Sequence, residues 1–209
     1  DLKTGLPPDE IPSFEKEPLK QEAIAQKDRP GFKRPKTKVP GEGGYFNFDA
    51  ISGGRVPFNE AIGEEYHYYK SSKPLTLAGG NPRGISKIDY DTPEKDDKTL
   101  PRIIFIEGDL TIDASEVNFE NHYFAVSGTL TIDVDEEHPW GRWFNTSGNG
   151  NINWIDSYLF GGKGINIEGD GNFNFSGSMM TPGNINIDTP GNKTLESSDN
   201  LRLDLLPDA

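Results

Sequence analysis

With 34 acidic against 21 basic side chains in 209 residues, the chain carries a net charge of −13, and a body that acidic repels phosphate backbones, which excludes nucleic acid as the main ligand. Cysteine is absent, so there is neither a disulfide framework nor a thiolate metal site. The length suits one large domain or one domain with an appendage, and a hydrophobic share of 33% points to a thin core.

Residues 1–40 hold nine Lys or Arg and seven Asp or Glu, so the negative charge resides in the remainder of the chain. Pro7, Pro8, Pro12, Pro18, Pro30, Pro35 and Pro40 cut this segment too finely for long elements, and it reads as an arm or linker. Ser13 to Lys27, with Phe14, Leu19, Ala23 and Ile24, predicts at most a short weak helix interrupted by Pro18. A charged, proline-broken segment seldom orders alone, so the arm is expected to lie along the body or along a neighbouring subunit. No apolar run approaches the roughly 20 residues needed to span a bilayer, and residues 1–20 are too polar for a signal peptide. An Asp at position 1 fits a processed or truncated chain, with any membrane anchor missing from it.

Gly41 to Lys70 is expected to form a cap. Tyr45-Phe46-Asn47-Phe48 alternates as a strand and Val56-Pro57-Phe58 is a candidate second one. Asn59 then reads as a helix N-cap, with Ile62, Tyr66 and Tyr69 at helical spacing. From residue 71 the dominant feature is a repeat. Ile106-Glu107-Gly108-Asp109-Leu110-Thr111-Ile112-Asp113 returns as Val126-Ser127-Gly128-Thr129-Leu130-Thr131-Ile132-Asp133, 20 residues on, and Ile165 and Ile167 return as Ile185 and Ile187. Asp133 to Trp143 breaks the period and reads as a loop inserted at one corner. Strands of three to five residues separated by Gly or Asn predict an all-β, short-rung β-solenoid (β-helix) over 71–209, preceded by an N-terminal extended arm (1–40) and a small aromatic/helical cap (41–70). Leu201, Leu203, Leu205 and Leu206 read as an apolar closing segment.

The candidate chemistry is sparse. Asp113 and Asp133 stack in the repeat and are near enough to be tested as a glycosidase-like carboxylate pair, but no Arg or Lys accompanies them to polarise a leaving group. Asp133, Asp135, Glu136 and Glu137 supply enough oxygens for Ca²⁺ yet lack the Gly-spaced grammar of a calcium loop. His67, His122 and His138 are scattered without ligand spacing. No nucleophile elbow or phosphate loop occurs, and no cofactor is expected. The sharpest local feature is Trp140 and Trp143 flanking Gly141-Arg142. Exposed, these Trp residues would stack on a sugar ring or dock a partner; packed inward, they would anchor the loop. Trp140, Arg142, Trp143 and Tyr158 are therefore the candidate ligand or partner contacts.

The cadence of Ile104 to Ile112, of Tyr123 to Ile132, and of Phe175 to Ile187 with its Met179-Met180 strand and Pro182-Gly183 corner resembles the β-solenoid ectodomains of bacterial pilus-assembly proteins. Those ectodomains follow a cleaved, pilin-like membrane helix in type IV pilus systems. The resemblance implies a non-enzymatic structural or adhesive subunit at the bacterial cell surface, whose partners are other pilus or surface subunits or a second copy of itself. It carries over no catalytic residue, and the family's membrane helix is missing here. Two other readings remain: a carbohydrate-binding or carbohydrate-cleaving β-helix protein with a glycan ligand, and a self-polymerising scaffold.

Overall fold

The computed structural model of the chain describes residues 16–28, 40–50, 55–57, 66–71, 74–78, 88–90, 102–134, 150–199 and 201. Its elements follow from which residues can stack on copies of themselves. The helix α1 (Lys16–Ala25) comes first, followed by β1 (Gly41–Glu42), β2 (Tyr45–Asn47), β3 (Arg55–Pro57), β4 (Tyr66–Lys70), β5 (Leu75–Ala78) and β6 (Ile88–Tyr90). The repeat region supplies β7 (Arg102–Glu107), β8 (Leu110–Ala114), β9 (Val117–Glu120), β10 (His122–Val126) and β11 (Thr129–Val134). Beyond it run β12 (Ile152–Gly161), β13 (Gly164–Gly169), β14 (Phe173–Met180), β15 (Asn184–Asp188) and β16 (Lys193–Glu196).

The six-stranded sheet runs β15-β13-β11-β8-β5-β3, and all its pairings are parallel. Its inward rows are Leu75, Leu110, Leu130, Ile165, Ile185 and Leu77, Ile112, Ile132, Ile167, Ile187. A ten-stranded ladder branches at the long strand β12. The first half of β12 pairs with β9, which pairs in turn with β6, while its second half pairs with β10 and the ladder β7, β4, β2 beyond. The result is three flat sheets whose inner faces share one core, with Ile104, Phe119, Phe124, Trp154, Leu159 and Phe173 among its buried members. Each fully buried Leu, Ile or Phe contributes about 1.5–3 kcal/mol, so the stacked rows outweigh any local propensity.

The expected short-rung β-solenoid with an extended arm and an aromatic/helical cap is thereby corrected. The chain is mostly β, in three flat sheets of mainly parallel strands closed by one antiparallel pair, β1 with β2. Where strands of three to five residues are expected, β12 runs unbroken for ten, Ile152–Gly161. The strand bends instead of ending: its register shifts between Trp154 and Ser157, where Asp156 has φ 48°, and Gly177 of the next strand has φ 148°. Tyr66 and Tyr69, read at helical spacing, lie in β4, whose backbone pairs with Ile103 to Glu107 of β7. Pairing with an Ile-rich neighbour overrides a local helical pattern.

Asn59 and Ile62, read with Tyr66 and Tyr69 as part of a cap helix, lie outside the described residues, and the one α-helix among those described falls in the proline-rich segment, within the Ser13 to Lys27 stretch where a short one is expected. Pro18 is its third residue, within the first turn, where no intrahelical N–H bond is lost. Ten residues are too few for a stable isolated helix, so packing must hold it. Leu19 and Ala23, one turn apart, are buried against the outer face of the sheet formed by β7, β10 and β12. Ala23 O accepts a 2.7 Å bond from Gly44 N, Lys16 Nζ reaches Glu107 Oε1 at 3.2 Å, and Lys20 lies 5.2 Å from the Tyr45 ring centroid. Among the described residues, no helix is long and apolar enough to cross a membrane.

Gly177 tests the bend. A Cβ there would run into the Ser157 carbonyl oxygen, and its φ of 148° disfavours any side chain. Gly177→Ala is expected to cost about 2–3 kcal/mol in urea unfolding. Gly164→Ala, where the nearest atom is Asn184 O at 3.3 Å, should cost less than about 1 kcal/mol.

Candidate functional site

Of the four expected contact residues, only Tyr158 lies among the described residues, and it is not on the surface. Its side chain is 1% exposed, held in an outer-face cluster of Leu19, Ala23, Ile103, Phe105, Tyr123, Ala125 and Phe160, with Tyr45, Met180 and Leu201 packed against it. Its hydroxyl donates to Met180 Sδ at 3.6 Å, and its ring lies 6.0 Å from that of Tyr123. Burial pushes the phenol up to about 12, because the phenolate would be desolvated beneath α1. Tyr158 is a structural anchor for the helix rather than a ligand contact. Leu201, expected in a closing segment, packs on the same outer cluster.

Trp140, Arg142 and Trp143, and the calcium candidates Asp135, Glu136 and Glu137, lie outside the described residues. Asp133 is described, and the repeat aligns it as expected: it stands in register with Asp113 on one side and Glu168 on the other, and Glu168 pairs with Asp188. Four carboxylates thus form a column on the outer face of the six-stranded sheet, spaced by about 4.8 Å per strand. Beside it runs a second outward column of Thr76, Thr111, Thr131, Asn166 and Asn186, in which Asn186 Nδ2 donates to Asn166 Oδ1 at 2.9 Å. Like charges in line repel by up to about 1 kcal/mol per pair at the solvated surface, so the column concentrates acidic groups along one stripe. Among the described residues, no group of three or more His, Asp or Glu is gathered to hold a metal ion. His122 is buried inside, with Nδ1 2.6 Å from Glu120 O.

A further ladder has no fixed period in the sequence. Asn118, Asn153 and Asn174 stand in register across β9, β12 and β14, and their amides bond in series: Asn153 Nδ2 to Asn118 Oδ1 at 2.6 Å and Asn174 Nδ2 to Asn153 Oδ1 at 2.8 Å. The signal was present as an apolar-Asn-aromatic triplet, Val117-Asn118-Phe119, Ile152-Asn153-Trp154 and Phe173-Asn174-Phe175. The inserted residues stretch the first offset to 35 while the second is 21, which hides the repeat from a fixed-period search. At the corners a third chain of bonds clamps successive layers. Asn172 N donates to Asn151 Oδ1 at 2.8 Å, and Asn192 N to Asn172 Oδ1 at 2.9 Å.

These columns make two polar faces of fixed geometry, and they are the best candidate for the functional surface. The third sheet is unavailable to a partner where α1 covers it. The burial of Tyr158 gives a pH test of that cover. Its folded value of about 12 lies above the model-compound value of 10.0, so its contribution is full below pH ~10 and is lost as pH rises through about 12. Tyr158→Phe is expected to flatten the fall in stability over that window, measured by denaturant unfolding at a series of alkaline pH values. An unchanged pH slope would mean the phenol is solvated.

Compared with protein-family models, with curated proteins and with solved structures, the chain matches none, so the functional reading rests on these residues and their geometry.

Proposed function

We propose that this chain is a non-enzymatic structural or adhesive subunit of a cell-surface, pilus-like appendage and acts through its flat polar faces. The observation that carries the reading is the in-register repetition of outward residues: the Asn118–Asn153–Asn174 ladder and the paired Thr/Asn and carboxylate columns. A surface that offers the same group at one fixed spacing suits an extended or repeating partner, whereas one small substrate needs a concave site with convergent, unlike groups. The Asn amides are bonded to each other, so the face is preorganised and little side-chain freedom is lost on contact. The assignment to a surface appendage rests on the cadence of residues 104–132 and 175–187, and on no match with a known protein.

The test is to incubate the full chain with a panel of insoluble and soluble linear polysaccharides and fibrous proteins, following both co-sedimentation and release of reducing ends. The expected result is retention on at least one polymer with no release of reducing ends, and retention lowered about tenfold by Asn153→Asp, which breaks the amide series. Release of reducing ends that Asp113→Asn or Asp133→Asn abolishes would overturn the reading in favour of a carbohydrate-cleaving protein.

A further inference from the structure

The two ends of the stacked sheets are finished differently. At the start, the ladder ends in the antiparallel pair β1 and β2, and Phe46 of β2 and the following Phe48 are buried in the core. The first edge strand of the six-stranded sheet, β3, contains Arg55 and Pro57, residue types that block strand addition. At the other end the sheet stops at β15, which has neither Lys, Arg nor Pro and has no strand partner on its outer side among the described residues. Ile185, which continues the buried column of Leu75, Leu110, Leu130 and Ile165, is 42% exposed, and Leu195 of β16 is 40% exposed. Among the described residues, no further layer covers the core at this end. The last described residue, Leu201, packs on the outer face near Tyr158 and not across that end.

β15 reads Asn184-Ile185-Asn186-Ile187-Asp188, which is nearly the same in both directions. Residues directly opposite each other in antiparallel strands point to the same face, so a strand can pair with its own copy only about a residue that keeps inward positions opposite inward ones. Asn186 meets that condition. A two-fold axis there sets Ile185 against the second copy's Ile187, both facing the core. It sets Asn186 against Asn186 on the outer face, extending the amide series that begins at Asn166. It also sets Asn184, an amide donor, against Asp188, an acceptor, twice by symmetry.

We propose that the β15 edge, which has no outer partner among the described residues, is an interaction surface for a second copy of this chain, paired antiparallel about Asn186 so that Ile185 of each copy is covered by the other. Because a two-fold pairing uses the same edge on both copies, it is self-limiting: it yields a two-fold dimer, and not a filament. It is independent of whether the flat faces bind a polymer.

The experiment is sedimentation equilibrium of the full chain over a range of concentrations, with circular dichroism melts as a folding check. The expected mass is twice the 23.1 kDa of one chain. Asn184→Asp, at an exposed position, places a carboxylate against each Asp188 of the second copy and is expected to weaken association about tenfold or more with an unchanged melt. The double variant Asn184→Asp with Asp188→Asn exchanges the two groups and restores it. A single-chain mass at every concentration, a mass that keeps growing with concentration, or a dimer indifferent to Asn184→Asp would each overturn the proposal.

Discussion

Everything in this molecule depends on in-register parallel stacking, in which each inward side chain lies over its equivalent in the next layer. Leu110 over Leu130 over Ile165, and Ile112 over Ile132 over Ile167, are single columns of the core. Because strands stack at about 4.8 Å, a column of like apolar residues excludes water along its whole length, and a column of like polar residues forms a continuous bonded series. The same constraint produces the core, the Asn ladders and the carboxylate stripe. An insertion is tolerated only where it leaves the columns in register. That is how residues 135–149 fall between β11 and β12 while Asn118 and Asn153 still meet at 2.6 Å.

Stacking also sets which faces are free. The six-stranded sheet alternates buried and half-buried residues along β8 and β11, so one face is core and the other is solvent-facing. The sheet through β7, β10 and the second half of β12 does not alternate: all five residues of β10 are buried. Strands buried on both faces read as unbroken apolar runs, and Ile103-Ile104-Phe105-Ile106 and Tyr123-Phe124-Ala125-Val126 are such runs. Their outer face requires a cover, which α1 supplies through Leu19 and Ala23. The bond from Gly44 N to Ala23 O adds to this hold, whereas the exposed ion pair of Lys16 with Glu107 is worth less than about 1 kcal/mol. The burial of Tyr158 and its raised pKa are consequences of this second packing layer.

The polar surface and the exposure of Ile185 and Leu195 follow from the same arithmetic. A repeat that is regular enough to align Asp113, Asp133, Glu168 and Asp188 exposes one chemistry many times over. In the last layer of the described residues, Ile185 and Leu195 have a stacked neighbour on one side only and are 42% and 40% exposed. At the other end of the stack, the described residues finish the ladder with the antiparallel pair β1 and β2 and the six-stranded sheet with β3, which contains Arg55 and Pro57.

By itself the sequence determined the strands at residues 102–134 and 164–188, their 20-residue offset, and the alignment of Asp113 with Asp133. These depend on alternation and spacing, which are local and survive in one dimension. Tertiary structure alone decided the rest. Whether Tyr66 to Lys70 became strand or helix depended on a neighbour, β7, more than 30 residues away. Asn153 found Asn118 across an insertion, so no fixed period could reveal the pair. Gly177, one of the Gly residues expected to separate short strands, lies inside a strand of eight, because the bulge opposite it at Asp156 keeps more of the ladder paired than a break would. Tyr158 looked like an exposed aromatic, since alternation assigns a residue to one face of a sheet and says nothing of what packs against that face. The cover came from Leu19 and Ala23, far away in the chain and adjacent only once it has folded.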